Sequence, residues 1–459
     1  MGGLSGLFTK ILIANRGEIA CRIMRTCRRL GIATVAVYSE ADSDALHVRS
    51  ADEAVLIGPP AARASYLAID RIMAAAESTG AEAIHPGYGF LSENPALARA
   101  CKGAGLTFIG PSPEAIEVMG VKGPAKTLAM RVGVPVLEGA FPDDQAEASL
   151  RSAAEAIGWP VLLKAVAGGG GRGMRAVHDA DGFAAALAGA RREASSAFGD
   201  DRMLVERLVR DPRHIEVQIL ADRHGAVVHL FERDCSLQRR HQKVIEEAPA
   251  PGMTPEMRRA MCDSAIRLAR AIDYEGVGTV EFVVDATGGL SPDKYWFLEM
   301  NTRLQVEHPV TEAVTGFDLV EQQIRVAAGE RLAFSQEDIR ITGHAIEVRL
   351  CAEDPRRDDR PAPGRLDTLH FPTDVRVETG VRQGDSVTPW YDSLLAKLIA
   401  HGGTRQAALT ALTSALARTE VGGLSTNLEL LGAALRHPRF TAGRVDTGFL
   451  SRFRAELLS

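Results

Sequence analysis

The stretch from Ile11 to residue 38 constrains the fold more than any other part of the chain. Ile11-Leu12-Ile13-Ala14 reads as a buried parallel strand and Asn15-Arg16-Gly17 ends it. A helical pattern then runs to Leu30, and a second apolar run fills 33–38. Strand, turn, helix and strand in this order imply parallel pairing, and the apolar runs at 83–85 and 106–109 extend it to an open parallel sheet over 1–120. The layout resembles a mononucleotide-binding half. No GxGxxG follows the first strand, however, which gives a nicotinamide or flavin role little support.

A chain of 459 residues needs about three cores at roughly 150 residues each. A second unit is expected over 136–208: a helix near 146–157, a strand at 161–164, a glycine loop, another strand and a helix near 183–194. Its small size suggests a mobile subdomain. The third, 209–459, carries strands near 215–220, 227–232, 279–285, 295–302 and 345–350, with helices near 405–418 and 427–435. These read as an α+β unit on an antiparallel sheet. The fold class is therefore α/β and α+β.

With 46% hydrophobic and 24% charged residues the chain reads as a soluble protein, and a net charge of −6 argues against nucleic-acid binding. The six cysteines are scattered, with no CxxC pair, which fits a reduced, cytoplasmic location. Neither a signal peptide nor an apolar stretch of ~18 residues is visible, so no membrane association is expected.

Three segments carry chemistry. In Lys164-Ala165-Val166-Ala167-Gly168-Gly169-Gly170-Gly171-Arg172-Gly173-Met174, four successive glycines leave backbone N–H groups free to converge on phosphate oxygens. A bare glycine run is more often a flexible hairpin tip, since such patterns recur by chance. Lys164 weighs against that, because only eight of the 53 basic residues are lysines and this one ends a strand beside the loop.

The second segment, Leu298 to Glu307, alternates in polarity, so Glu299, Asn301, Arg303, Gln305 and Glu307 share a face if the strand continues that far. Glu299 and Glu307 would then lie about 26 Å apart, too far for one metal. They do different jobs, or the chain bends after Thr302. Glu281, on the strand near 279–285, could join Glu299 and Asn301 as hard oxygen donors for Mg²⁺ or Mn²⁺, although structural ion pairing accounts for them as readily. The third segment, Asp234 to Lys243, mixes acids and bases; in isolation it looks like a localisation signal or a salt-bridged loop, but the flanking acids and the negative net charge leave a substrate-anion site or a structural network.

Taken in order, these segments resemble the biotin carboxylase family of ATP-grasp enzymes from Ile11 to about Phe449. The likeness rests on Ile13-Ala14-Asn15-Arg16-Gly17-Glu18-Ile19-Ala20, His85-Pro86-Gly87-Tyr88-Gly89-Phe90-Leu91-Ser92-Glu93-Asn94, the glycine loop, Glu232-Arg233-Asp234-Cys235-Ser236 with the basic cluster, Glu299 through His308, and Gly343-His344-Ala345-Ile346-Glu347-Val348-Arg349. The resemblance implies a three-part ATP-grasp architecture: N-terminal domain, lid, and a large antiparallel-sheet body.

It also implies roles. Lys122, Lys164 and His214 would meet the ATP phosphates, Gly170, Gly171 and Met174 would cover them, and Glu206, Arg207, Val209, Gln238, His241 and Val283 would line the nucleotide site. Glu281, Glu299 and Asn301 would hold Mg²⁺. Lys243, Arg303, Gln305 and Val306 would bind bicarbonate, Glu307 would act as its general base, and Arg349 would stabilise the biotin enolate. ATP and biotin would be substrates. A biotin carboxyl carrier protein and a carboxyltransferase would be partners, with a homodimer or larger complex as the assembly.

Two positions depart from the family pattern, Val121 where Asp is usual and Ala167 where the glycine run commonly begins. A carbamoyl phosphate synthetase domain, which also phosphorylates bicarbonate, is the rival enzyme, and a catalytically silent nucleotide-binding scaffold is the rival outside enzymes. None of the eight lysines lies between two methionines, so the chain is expected to receive biotin from a carrier rather than bear it.

Overall fold

The computed structural model describes residues 6–166, 173–240 and 242–459. Gly170, Gly171 and His241 lie outside the described residues, as does Ala167.

The parallel sheet forms as the sequence implies. Its strands are β1 (Lys10–Ile13), β2 (Ala33–Ser39), β3 (Glu53–Gly58), β4 (Ala83–His85) and β5 (Thr107–Phe108), in the order β3-β2-β1-β4-β5. Strand order reverses beside β1, and a crevice opens at the carboxyl ends of β1 and β4. Asn15 closes that crevice: its Nδ2 donates to the carbonyls of Pro86 (2.8 Å) and Tyr88 (2.7 Å). Gly87 is required there, since its φ is +65° and a Cβ would stand 2.9 Å from Asn15 Nδ2. Helix α1 (Gly17–Leu30) packs Ile19, Ile23, Met24 and Cys27 into a core with Ile11 and Ile13.

A small antiparallel sheet follows, β6 (Gly139–Ala140), β7 (Val161–Ala165), β8 (Arg175–Val177) and β9 (Met203–Arg207), ordered β6-β9-β7-β8. Helix α2 (Lys122–Arg131) precedes it. Helices α3 (Glu147–Ile157) and α4 (Phe183–Phe198) cover it, so that Leu150, Leu163, Phe183, Leu187 and Val205 form a core of its own.

The largest sheet holds β10 (Pro212–Ala221), β11 (Val227–Arg239), β12 (Gln242–Ala248), β13 (Gly276–Asp285), β14 (Tyr295–Asn301), β15 (His344–Cys351), β16 (Arg376–Thr379) and β17 (Leu394–Gly402). Their order is β14-β13-β10-β11-β12-β15-β17-β16. Strand alternation gives it two unlike faces. On one, Val280, Phe282 and Val284 of β13 pack with helix α5 (Pro255–Ala271), and Ile346, Val348 and Leu350 of β15 pack with apolar residues that include Leu409, Leu412 and Leu416. On the other lie Thr279, Glu281, Glu347 and Arg349. Helices α6 (His308–Thr315), α7 (Leu319–Ala327) and α8 (Arg405–Ala417) complete this part of the fold.

The structure decides two points that the sequence left open. Asp234 to Arg239 form the end of β11 and Gln242-Lys243 the start of β12, and the strand with Glu299 stops at Asn301, so the chain bends after Thr302 and the strand does not run on to Glu307.

A buried charge network ties α1 to the large sheet. Arg22 Nη2 lies 2.8 Å from both Glu312 and Asp318, Arg25 lies 2.5 Å from Glu378, and Arg376 Nε donates to Glu378 at 2.7 Å. Burial alone would raise the Glu378 carboxyl, but Arg376, Arg25, Lys397 and Arg22 hold it at about 2. A carboxylate depressed in the folded state adds stability above its unfolded value and loses it as pH falls through the folded one. Glu378→Gln is therefore expected to lower stability at neutral pH by on the order of 3 kcal/mol. That deficit should shrink as pH drops from about 4.5 towards 2 in denaturant titrations; a gap independent of pH would contradict the assignment.

Candidate functional site

The polar face of the large sheet forms the floor of a cleft of about 1390 Å³, with the small sheet and the crevice of the parallel sheet at its sides. Lys122, Lys164, Met174, Glu206, Arg207, Val209, His214, Gln238, Lys243, Glu281, Val283, Glu299, Asn301, Arg303, Gln305, Val306 and Arg349 all line it. Glu307 is fully buried beside the cleft, bonded to Lys243 and Arg349 of its lining.

Backbone irregularities aim several of these groups. Leu237 pairs with Ile245 but Gln238 pairs with Lys243, so Val244 is an extra residue in β12. The bulge turns Lys243 away from the apolar face that Ile245 occupies. In β14, Glu281 faces Glu299 whereas Phe282 faces Phe297, so Leu298 is extra. That second bulge brings Glu299 and Asn301 onto the face of Glu281, while Phe297 stays in the core.

At the centre, Lys243 Nζ donates to Glu216 (2.5 Å), Glu281 (2.7 Å) and Glu307 (2.6 Å). Glu216 is further held by Arg233 Nε at 2.5 Å, and both are wholly buried. Burial would raise the carboxyls of Glu216 and Glu281, but Lys243 holds both well below the usual range, helped by Arg233 at Glu216 and by His214 at Glu281. His214 Nε2 stands 2.9 Å from Glu281 and its Nδ1 meets Gln238 at 2.8 Å. Burial pulls the imidazole down, but Glu281 and Glu216 outweigh it and bring it up to about 9.

Glu299 behaves oppositely, because burial and the facing Glu281 push its carboxyl up. Glu281 and Glu299 are cross-strand neighbours on the polar face and with Asn301 supply hard oxygen atoms of the kind a divalent cation takes; Asn301 Nδ2 donates to Glu281 at 2.8 Å, and Glu281 shares Lys243 and His214 with the rest of the network. His214, Glu216 and Glu281 also converge, within 4.8 Å, but the Lys243 ammonium already bonds two of them.

Beside this set Arg303 fans out to Glu93 (2.8 Å), Gln305 (2.9 Å) and Asn301 (3.0 Å). Gln305 donates to Glu281 at 3.0 Å, and Lys397 Nζ donates to the Val306 carbonyl at 2.7 Å. The chain bends here and Glu307 immediately precedes α6, so its two oxygens reach Lys243 and, at 2.8 Å, Arg349.

On the small sheet, Lys164 lies 2.5 Å from Glu206, and Lys126 on α2 meets the same carboxylate. Burial and the ammonium groups of Lys126 and Lys122 bring Lys164 down to about 7 in spite of that contact. Lys126 went unread in the sequence although it stands four residues after Lys122, on the same helix face. Arg207 pairs with Glu138 at 2.5 Å and is more exposed.

A small lysine-bearing sheet over a carboxylate-lined large one, beside an open parallel sheet, defines an ATP-grasp ligase. Models for the biotin carboxylase N-terminal domain match 7–116, for the carbamoyl-phosphate synthase L chain ATP-binding domain 122–335, and for the biotin carboxylase C-terminal domain 347–452. The chain belongs to the biotin carboxylase family.

It is 51% identical to biotin carboxylase of Halalkalibacterium halodurans, over 97% of this chain and 98% of that one. It is 52% identical to the mitochondrial methylcrotonoyl-CoA carboxylase subunit alpha of Mus musculus, over 99% of this chain but only 63% of that one. The biotin carboxylase domain of Hydrogenobacter thermophilus 2-oxoglutarate carboxylase, solved as a dimer with MgADP, ADP and bicarbonate, superposes with a TM-score of 0.92. It shares 45% identity, with 98% and 99% of the two chains covered.

Proposed function

We propose that this chain carboxylates biotin on a carrier protein, using ATP and bicarbonate by way of carboxyphosphate, as the first half-reaction of a biotin-dependent acyl-CoA carboxylase. The observation that carries the reading is the chain of contacts from Glu281 through Lys243 and Glu307 to Arg349. It joins a metal and phosphate end to a guanidinium on one polar face.

In this reading Lys122 and Lys164 hold the phosphates as point charges, with His214 beside them. Glu206, Arg207, Val209, Gln238 and Val283 line the adenine end. Glu281, Glu299 and Asn301 would hold Mg²⁺, whose charge would offset that of the phosphoryl group in transfer. Lys243, Arg303, Gln305 and Val306 seat bicarbonate, whose proton Glu307 accepts as an oxygen attacks phosphorus. Carboxyphosphate breaks into carbon dioxide and phosphate, the phosphate takes the N1 proton of biotin, and Arg349 steadies the ureido oxygen as N1 attacks the carbon dioxide. The small sheet excludes water from carboxyphosphate.

We assign 1–120, 136–208 and 209–459 to the N-terminal domain, the lid and the body with its C-terminal part. A carrier, a carboxyltransferase and a second copy of this chain are the partners. The proposed compartment is the cytoplasm; among the described residues no helix is long and apolar enough to cross a membrane.

Isotope-labelled bicarbonate, ATP, Mg²⁺ and free biotin should yield labelled carboxybiotin, with ATP hydrolysis dependent on bicarbonate. Carbamoyl phosphate made with ammonia, or no turnover, would overturn the reading.

A further inference from the structure

Behind Arg349 lies a group of carboxylates that the proposed chemistry does not use. Glu246 on β12 and Glu347 on β15 are directly paired in antiparallel register, so both side chains leave the same face of the sheet. Both residues are 0% exposed. Glu246 Oε1 accepts from Arg349 Nε at 2.7 Å, but Glu246 Oε2 and both oxygens of Glu347 have no hydrogen-bond partner among the described residues.

Charge around them is unbalanced. Arg349 already bonds Glu246 and Glu307, Lys397 lies 3.1 Å from Glu18, and Lys243 is divided among Glu216, Glu281 and Glu307. At Glu347 the largest opposing charge is Lys397, which it shares with Glu18, and the neighbouring Cys235, Tyr88 and His308 supply none: burial keeps the thiol and the phenol protonated and the imidazole neutral. Two ionised carboxylates facing each other at 0% exposure are untenable, whereas one shared proton supplies a donor for the orphaned oxygens.

We propose that Glu246 and Glu347 hold a single proton between them and act as a positioning pair for Arg349, leaving its charge available to the ureido oxygen of biotin. The geometry is matched by the ionisation of both groups: burial pushes Glu246 up to about 7 against Arg349, and pushes Glu347 well above the usual range against Lys397 and Arg349, with Glu307 adding to each. With both ionised, Arg349 would face three carboxylates and offer little to a developing negative charge.

The inference rests on the biotin-carboxylating reading, but the proton can be sought without turnover. Infrared pH-difference spectra of the wild-type chain should show a buried protonated carboxyl at pH 6 that ionises as pH rises and is diminished in Glu347→Gln. The absence of any such band in the wild type overturns the pair whether or not the variant folds.

In turnover, kcat/KM for biotin in the wild type should fall at alkaline pH as the pair loses its proton. Glu347→Gln should stay within about twofold at pH 7 and lose that alkaline limb. A variant weaker by roughly 100-fold or more at every pH, with an unchanged profile, would show that the charge of Glu347 is needed and sink the proposal. Failure of the wild type to carboxylate biotin would strike the functional reading, while the infrared band would still stand.

Discussion

Glu307→Gln is expected to reduce bicarbonate-dependent ATP hydrolysis by about 10²–10⁴-fold, the range typical of losing a positioned general base. The substitution keeps the shape of the side chain and removes only its capacity to take a proton. Glu307 is fully buried between Lys243 and Arg349. Burial favours its neutral form, but Lys243 and Arg349 overcome that and hold its carboxyl below the usual range, so it is ionised when bicarbonate arrives. The loss should fall on kcat, with KM for ATP little changed, because Glu307 bonds Lys243 and Arg349, which in this reading serve bicarbonate and biotin. Steady-state kinetics against ATP and bicarbonate separately test this; a kcat within threefold of wild type would remove Glu307 from the role of base.

Lys243→Met should cost more in stability than any other single change in the cleft, by ~3–5 kcal/mol. Methionine fills the space but leaves Glu216, Glu281 and Glu307 with one cation fewer among them. Arg233, His214 and Arg349 remain, each already engaged with one of the three. Without the ammonium, folded-state carboxyl values rise. Groups raised above their unfolded values give stability below those values and lose it as pH increases, so the variant's deficit should widen from acid to neutral pH. Denaturant midpoints for wild type, Lys243→Met and Lys243→Arg across this interval check the claim. Recovery by arginine is expected, and a methionine variant as stable as wild type at pH 7 would refute it.

The parallel sheet was legible because its strands are continuous apolar runs, as at Ile11-Leu12-Ile13, a pattern that local sequence reports directly. Of the β11–β12 hairpin only 227–232 was legible as a strand. Arg233, Asp234 and Ser236 are buried, and polar residues in a row suggest solvent unless their distant partners are known. Arg233 is satisfied by Glu216, Gln218, Thr279 and Thr311, each far away in sequence. The donor types of Glu281, Glu299 and Asn301 could be read, but not the extra residue Leu298 that aims two of them, since a bulge has no local signature here. For Glu307 a signal existed: His308-Pro309 puts proline in the first turn of a helix, which favours a helix start over a continuing strand.

The bond from Lys243 to Glu281 also measures the large sheet. Strands β12 and β13 are separated by β11 and β10, three ladder steps or about 14 Å on a flat sheet, a gap that takes both side chains to cross. Lys243 and Glu281 therefore reach towards one another over β11 and β10, across the polar face. Donor and acceptor ends belong to one hydrogen-bonded surface, so the contact spans four neighbouring strands without needing separate bodies to meet.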